Sequence, residues 1–261
     1  MYYFKMNTSR SVFQTKTCTL IYCLMVINFL ALSTSALALD LTAIGTFQSS
    51  ELSTNLAGGF DTAVINNETY TNNGFNSGTA FGGGVLLSQA IMPAFSIETG
   101  LLCLPRSMSQ TVTLTGSVSS TLTANYSFTY WQIPLLFRFH FLKILSVGFG
   151  GYYAHAIGNI KYTESSPNAA LNSSLFQEGT MYQGYEEGDI SRSDYGLLYA
   201  VGANVPLPFV PLSLYVDGRY AMGLKNIHTG QLTSVNVADS DNNKWHDFQL
   251  LAGFQLSLYG E

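Results

Sequence analysis

The chain has 261 residues, enough for one large or two small soluble domains, yet 10% of them are charged, 13% are aromatic and 24 are glycine. Soluble domains carry roughly 25% charge, so this composition covers a water-exposed surface poorly. Beyond the N-terminal segment no apolar run approaches the roughly 20 residues of a membrane helix. Clustered cations, a phosphate loop and Cys/His metal sets are missing, which excludes nucleic acid as a partner and gives no cofactor or metal site to expect.

The chain opens with Lys5, Arg10 and Lys16 ahead of the apolar stretch LIYCLMVINFLAL (20–32) and then STSALA. Basic, apolar and small-x-small regions in that order form a signal peptide, with cleavage expected after Ala38 and Met6 as an alternative start. The competing reading is an uncleaved anchor, which the short, Asn28-interrupted apolar run disfavours. Residues 1–38 are therefore set apart from a single domain, 39–261. Cleavage removes three cations and no acid, leaving 8 Lys+Arg against 16 Asp+Glu. Cys103 is then the one cysteine left, so no intrachain disulfide forms.

Eight alternating stretches follow. They are LDLTAIGTFQ (39–48), TAFGGGVLLSQ (79–89), AFSIETGLLCLPR (94–106), FTYWQIPLLFRFHF (128–141), LSVGFGGYYAHAIG (145–158), DYGLLYAVGANVPL (194–207), LSLYVDGRYAMGLK (212–225) and FQLLAGFQLSLY (248–259). In the fourth, Trp131, Ile133, Leu135, Phe137, Phe139 and Phe141 alternate with Gln132, Pro134, Leu136, Arg138 and His140. In the last, Phe248, Leu250, Phe254 and Leu256 alternate with Gln249, Gly253 and Gln255. Successive side chains of a strand point to opposite faces, so each stretch has one greasy and one polar or small face.

The connections alternate too. Polar segments at 49–78, 107–127, 159–193 and 226–244 are long, whereas AIMP, LKI and PFVP are short. Short turns at one end and long polar segments at the other predict an all-β, transmembrane, up-and-down antiparallel barrel of eight strands, with short periplasmic turns and long extracellular loops. The greasy faces then meet lipid. An exported soluble sandwich would explain the alternation but not the loop asymmetry or the scarcity of charge.

YWQIPLLFRF, LSVGFGGYY, YVDGRYAMGL and the closing FQLLAGFQLSLY resemble the small eight-stranded outer-membrane β-barrel domain family of Gram-negative bacteria, the porin or PorT-like family, from about residue 40 to the C-terminus. The resemblance implies a monomer in the bacterial outer membrane. Its expected partners are outer-membrane lipid and lipopolysaccharide, with the barrel-assembly machinery during biogenesis. The final strand resembles the signal read by that machinery but ends in YGE rather than an aromatic residue.

The interior of an eight-stranded barrel is just filled by side chains. The chemically notable residues on the inward faces are Glu98, Arg138, His140, Asp217 and Arg219. They could form a gated ion path or an acid/base site. A paired network that plugs the lumen accounts for the same residues more simply, because charges in a narrow dry interior must be paired. The expectation is a non-enzymatic protein with an envelope-structural or surface-interaction role. The alternatives are a barrel enzyme acting on lipid or peptide at the outer rim, near His155, His228 or His246 with Ser193, Asp194 or Asp247, and a narrow channel. The acidic run EEGD (186–189) reads as solvated loop charge, and the Asn-x-Ser/Thr sequons at Asn67, Asn125 and Asn172 as chance.

Overall fold

A sheet whose outer side faces lipid cannot leave backbone N–H and C=O groups unpaired at an edge, so its first and last strands must meet. They do. The computed structural model describes residues 39–53, 62–65, 68–115, 119–142, 144–165, 179–184, 191–226 and 244–258. Its strands are β1 (Leu39–Ser53), β2 (Thr62–Ile65), β3 (Glu68–Met92), β4 (Phe95–Thr115), β5 (Ser120–Leu142), β6 (Leu145–Ser165), β7 (Gly179–Gln183), β8 (Ser193–Pro206), β9 (Leu212–Gly223) and β10 (Lys244–Ser257). Eight of them close an antiparallel ring in the order β1, β10, β9, β8, β6, β5, β4, β3, with β3 pairing back onto β1. No helix occurs among the described residues. Residues 1–38, with the expected signal peptide, and Asn67, Asn172, His228 and EEGD lie outside them.

The alternation decides which way each wall faces. Leu135, Phe137, Phe149, Val201, Phe248 and Phe254 are outward and exposed, while Gln132, Leu136, Arg138, Gln249 and Leu251 are inward and buried. The lipid belt is rimmed by aromatics: Trp131, Tyr153 and Tyr195 toward one end, Phe95, Phe139 and Phe141 toward the other. Rings at both interfaces are the usual boundary of a membrane barrel. The second end carries the short turns and both ends of the ring, which makes it the periplasmic end.

The long polar segments are not simple loops. β3, β4, β5 and β6 span 25, 21, 23 and 21 residues, against 15, 14, 12 and 14 for β1, β8, β9 and β10. At about 3.3 Å per residue, a surplus of about 7–10 residues raises one side of the barrel roughly 20–30 Å above the other. Most of 107–127 is therefore a hairpin of β4 and β5 rather than a loop. The short β2 and β7 flank this raised sheet on β3 and β6. The reason is chemical: above the membrane neither face need be apolar, and threonine-rich alternation is good strand sequence that resembles polar loop. Where wall becomes protrusion, Gly158–Ile160 of β6 oppose Phe128 alone, between the pairs Thr129–Ile157 and Ser127–Lys161. Gly158 takes φ 71° at this bulge, a backbone conformation that favours glycine.

Candidate functional site

The lumen contains two ionic centres stacked along the barrel. The lower one is built by β4, β5 and β9, each of which delivers side chains inward by simple alternation. Arg138 Nε donates to Glu98 Oε2 at 2.7 Å, and Arg138 Nη1 to Asp217 Oδ1 at 3.2 Å, with Nη2 also on Asp217 Oδ2. Arg219 repeats the pattern, with Nε on Asp217 Oδ2 at 2.6 Å and Nη2 on Glu98 Oε1 at 2.7 Å. Each acid thus touches both guanidinium groups. The Tyr215 hydroxyl sits in the middle, accepting from Arg138 Nη2 at 2.8 Å and from Arg219 Nη2 at 3.1 Å. It lies 3.2 Å from Glu98 Oε2 and 3.0 Å from Asp217 Oδ2, to either of which it can donate. Two cations and two anions balance in this centre, which favours their burial.

Gly202 on β8 makes room for this pairing. A Cβ there would lie 2.6 Å from Asp217 Oδ1 and 3.1 Å from Arg138 Nη1. The absence of a side chain at that inward position lets the ion pair lie flat against the wall.

Of the five lumen residues read from the sequence, the structure brings together Glu98, Arg138, Asp217 and Arg219. His140 stands apart, which corrects its assignment to the network. It lies one inward position beyond Arg138, at the periplasmic mouth, and its Nε2 pairs with Ser96 Oγ at 2.8 Å. The mouth is a cavity of about 640 Å³ lined by Asp40, Ser96, His140 and Asn204, with Glu98 and Arg138 also on its wall.

The upper centre was not read from the sequence as a lumen site. Arg106 of β4 donates from Nη1 to Asp194 Oδ2 at 2.8 Å, and from Nε and Nη2 to Asp247 Oδ2 at 2.9 and 2.6 Å. Its guanidinium carbon lies 4.5 Å from the Tyr130 ring centre and 5.3 Å from that of Trp245. Tyr152 Oη donates to Asp194 Oδ2 at 3.0 Å. Both aspartates are 0% exposed. Alternation could have found this centre, since Arg106 shares the inward register of Glu98 on β4, and Asp247 that of Gln249 on β10. Asp194 and Asp247 are therefore held by Arg106 rather than serving rim histidines.

Between the centres the inward faces carry Leu86, Leu102, Leu104 and Leu251 together with the buried Gln48, Gln132 and Gln249, where Gln249 Nε2 donates to Gln132 Oε1 at 3.4 Å. Leu136 and Leu198 extend this layer on β5 and β8. Two charged layers with packed leucines and glutamines between them thus fill the lumen.

At the outer rim His155, Ser193 and Lys225 come close. His155 and Ser193 are cross-strand partners, and Lys225 Nζ donates to Ser193 Oγ at 2.6 Å. His246 also faces outward and pairs through Nδ1 with Tyr220 Oη at 2.9 Å. No cluster of three or more His, Cys, Asp or Glu suited to a metal occurs among the described residues.

The model of the outer membrane protein beta-barrel domain family matches residues 46–229, more than half of the chain. The chain belongs to that family. It resides in the bacterial outer membrane, crossing it with its strands. No curated protein matches it. Among solved structures it is similar to the outer membrane protein OprG of Pseudomonas aeruginosa, at 13% identity and a TM-score of 0.39, over 85% of this chain and 97% of that one. The attachment invasion locus protein Ail of Yersinia pestis gives 12% identity and 0.37, over 84% of this chain and 99% of that one. The outer membrane protease OmpT of Escherichia coli gives 9% and 0.31, over 85% and 96%.

Proposed function

We propose that this is a non-enzymatic, non-conducting barrel whose task is to mount the raised β3–β6 sheet on the outer membrane as a surface for envelope or surface contact. The stacked filling of the lumen carries the reading. A solute would have to push through both desolvated ion-pair layers and the leucines and glutamines packed between them, and breaking one buried pair already costs about 3–5 kcal/mol. In the lower centre each acid is bound by two arginines, so neither stands as a free acid or base. Purified protein inserted in planar bilayers should give no discrete current steps, and should release no product from lipopolysaccharide or peptide substrates. Regular steps in the wild type would favour a channel.

A second reading has one observation behind it. Lys225 on Ser193, opposite His155, sets a hydroxyl beside two basic side chains at the outer rim. Acyl or peptide release that disappears in Ser193→Ala while the barrel stays folded would establish a rim enzyme.

A further inference from the structure

The outward face of β5 changes chemistry at one level. Trp131 and the residues below it on that face are apolar, whereas Thr129, Ser127, Asn125, Thr123 and Thr121 continue it upward with hydroxyls and one amide. The neighbouring strands change at the same height. Ser107, Ser127 and Lys161 are cross-strand partners and share a face. In the next row stand Ser109, Asn125 and Thr163. Above them Thr111 pairs with Thr123, and Thr113 with Thr121. No acid stands on these rows, and Lys161 is their one cation.

The two lowest rows border a groove of about 480 Å³. It lies where the β3–β4 ladder slips between the pairs Ser77–Met108 and Gly83–Cys103. Gly78 sustains the close approach there, since a Cβ on it would meet Ser107 Oγ at 2.2 Å and the Ser107 carbonyl oxygen at 2.5 Å. Asn125 and Lys161, on its wall, are exposed.

We infer that this groove binds the phosphorylated sugar headgroup of the surrounding outer-leaflet glycolipid, lipopolysaccharide. The position argues for it, because the face continues the lipid-facing wall past the Trp131, Tyr153 and Tyr195 belt that marks the interface. Whatever covers the wall just above its hydrocarbon level is the headgroup of the lipid that covers it below. The chemistry matches. Serine, threonine and asparagine offer donors and acceptors side by side, as sugar hydroxyls require, and the Lys161 ammonium supplies a charge-assisted bond to a phosphate. A chain with twice as many acids as cations beyond residue 38 would otherwise repel that anion.

This deepens the surface-contact reading and is tested apart from the conductance and activity assays. The full chain is refolded in phosphatidylcholine nanodiscs containing either purified rough lipopolysaccharide or phosphatidylglycerol of equal charge. The readouts are the unfolding temperature and the sugar retained per folded barrel after detergent extraction. Lipopolysaccharide should stabilise the wild type more than phosphatidylglycerol does. Lys161→Gln should lower sugar retention about tenfold, the scale of one lost charge-assisted hydrogen bond, and Lys225→Gln should leave it unchanged. Asn125→Ala, at an exposed position, should lower it in the same direction, and heat-modifiable gel mobility reports the folded fraction of each variant. Equal retention in wild type and folded Lys161→Gln, or equal stabilisation by the two anionic lipids, would overturn the site and leave the closed lumen standing.

Discussion

The two ionic centres of the lumen solve one problem in different ways. The lower centre is a balanced lattice in which Glu98 and Asp217 each touch both Arg138 and Arg219. The upper centre is a hub in which Arg106 alone serves Asp194 and Asp247. Tyrosine and tryptophan rings fix the hub in place, whereas a shared tyrosine hydroxyl knits the lattice. A lattice can lose an oppositely charged pair and remain neutral. A hub cannot lose its centre without stranding everything it holds.

The largest effect should therefore fall on Arg106. Arg106→Ala leaves two buried carboxylates unpaired, at or above the upper end of the about 3–5 kcal/mol for one broken buried pair, measured by urea unfolding in lipid vesicles. Arg106→Lys should rescue little, since an ammonium cannot fork to two aspartates while stacking on two rings. Full rescue by lysine would mean that the hub works by charge alone.

Both centres depend on the same lipid-facing wall, which provides a ruler. Leu135→Arg, at mid-strand and outward, should cost about 2–4 kcal/mol, and Phe141→Arg, near the periplasmic interface, about 0–1 kcal/mol. Equal costs at the two depths would show that the apolar face packs against protein.

Crowding separates the centres next. Gly202→Ala pushes a methyl group into the Asp217–Arg138 contact and should destabilise the lower centre by about 1–3 kcal/mol. Added to Arg106→Ala its effect should be additive, because the two centres share no ion-pair partner. The smallest difference is between two hydroxyls. Tyr215→Phe removes a group bonded to both arginines and should cost about 1–2 kcal/mol. Tyr152→Phe, with a hydroxyl on Asp194 alone, should cost less, about 1 kcal/mol. The reverse order would place the tighter network at the hub.

Strand number, the short turns, the lipid face and most of the lower centre are legible in the sequence, because alternation assigns a side to every residue once one strand is oriented. The strand ends are not. Thr111, Thr113, Thr121 and Thr123 belong to a hairpin that reads as loop by its polar composition, although Val112, Leu114 and Leu122 alternate with them as in a strand. The upper centre was hidden for another reason. Arg106 closes a stretch that ends in proline and arginine, while Asp194 and Asp247 stand beside Ser193 and His246, neighbours that suggest a rim site. Their partner lies 88 and 141 positions away in the chain, a separation that closure of the ring resolves and local sequence does not. His140 misled in the opposite way: its inward register was right, but it lies at the mouth, where Ser96 meets it.

The central claim, that the buried charges exist to pair with one another, is tested most directly by a double-mutant cycle on Glu98 and Arg138. Each single alanine leaves the lower centre with one unbalanced charge, whereas the double variant leaves Arg219 facing Asp217. The unfolding free energies should show the double variant more stable than the sum of the singles by at least about 2 kcal/mol. Additivity within about 0.5 kcal/mol would contradict the pairing, and with it the closed lumen.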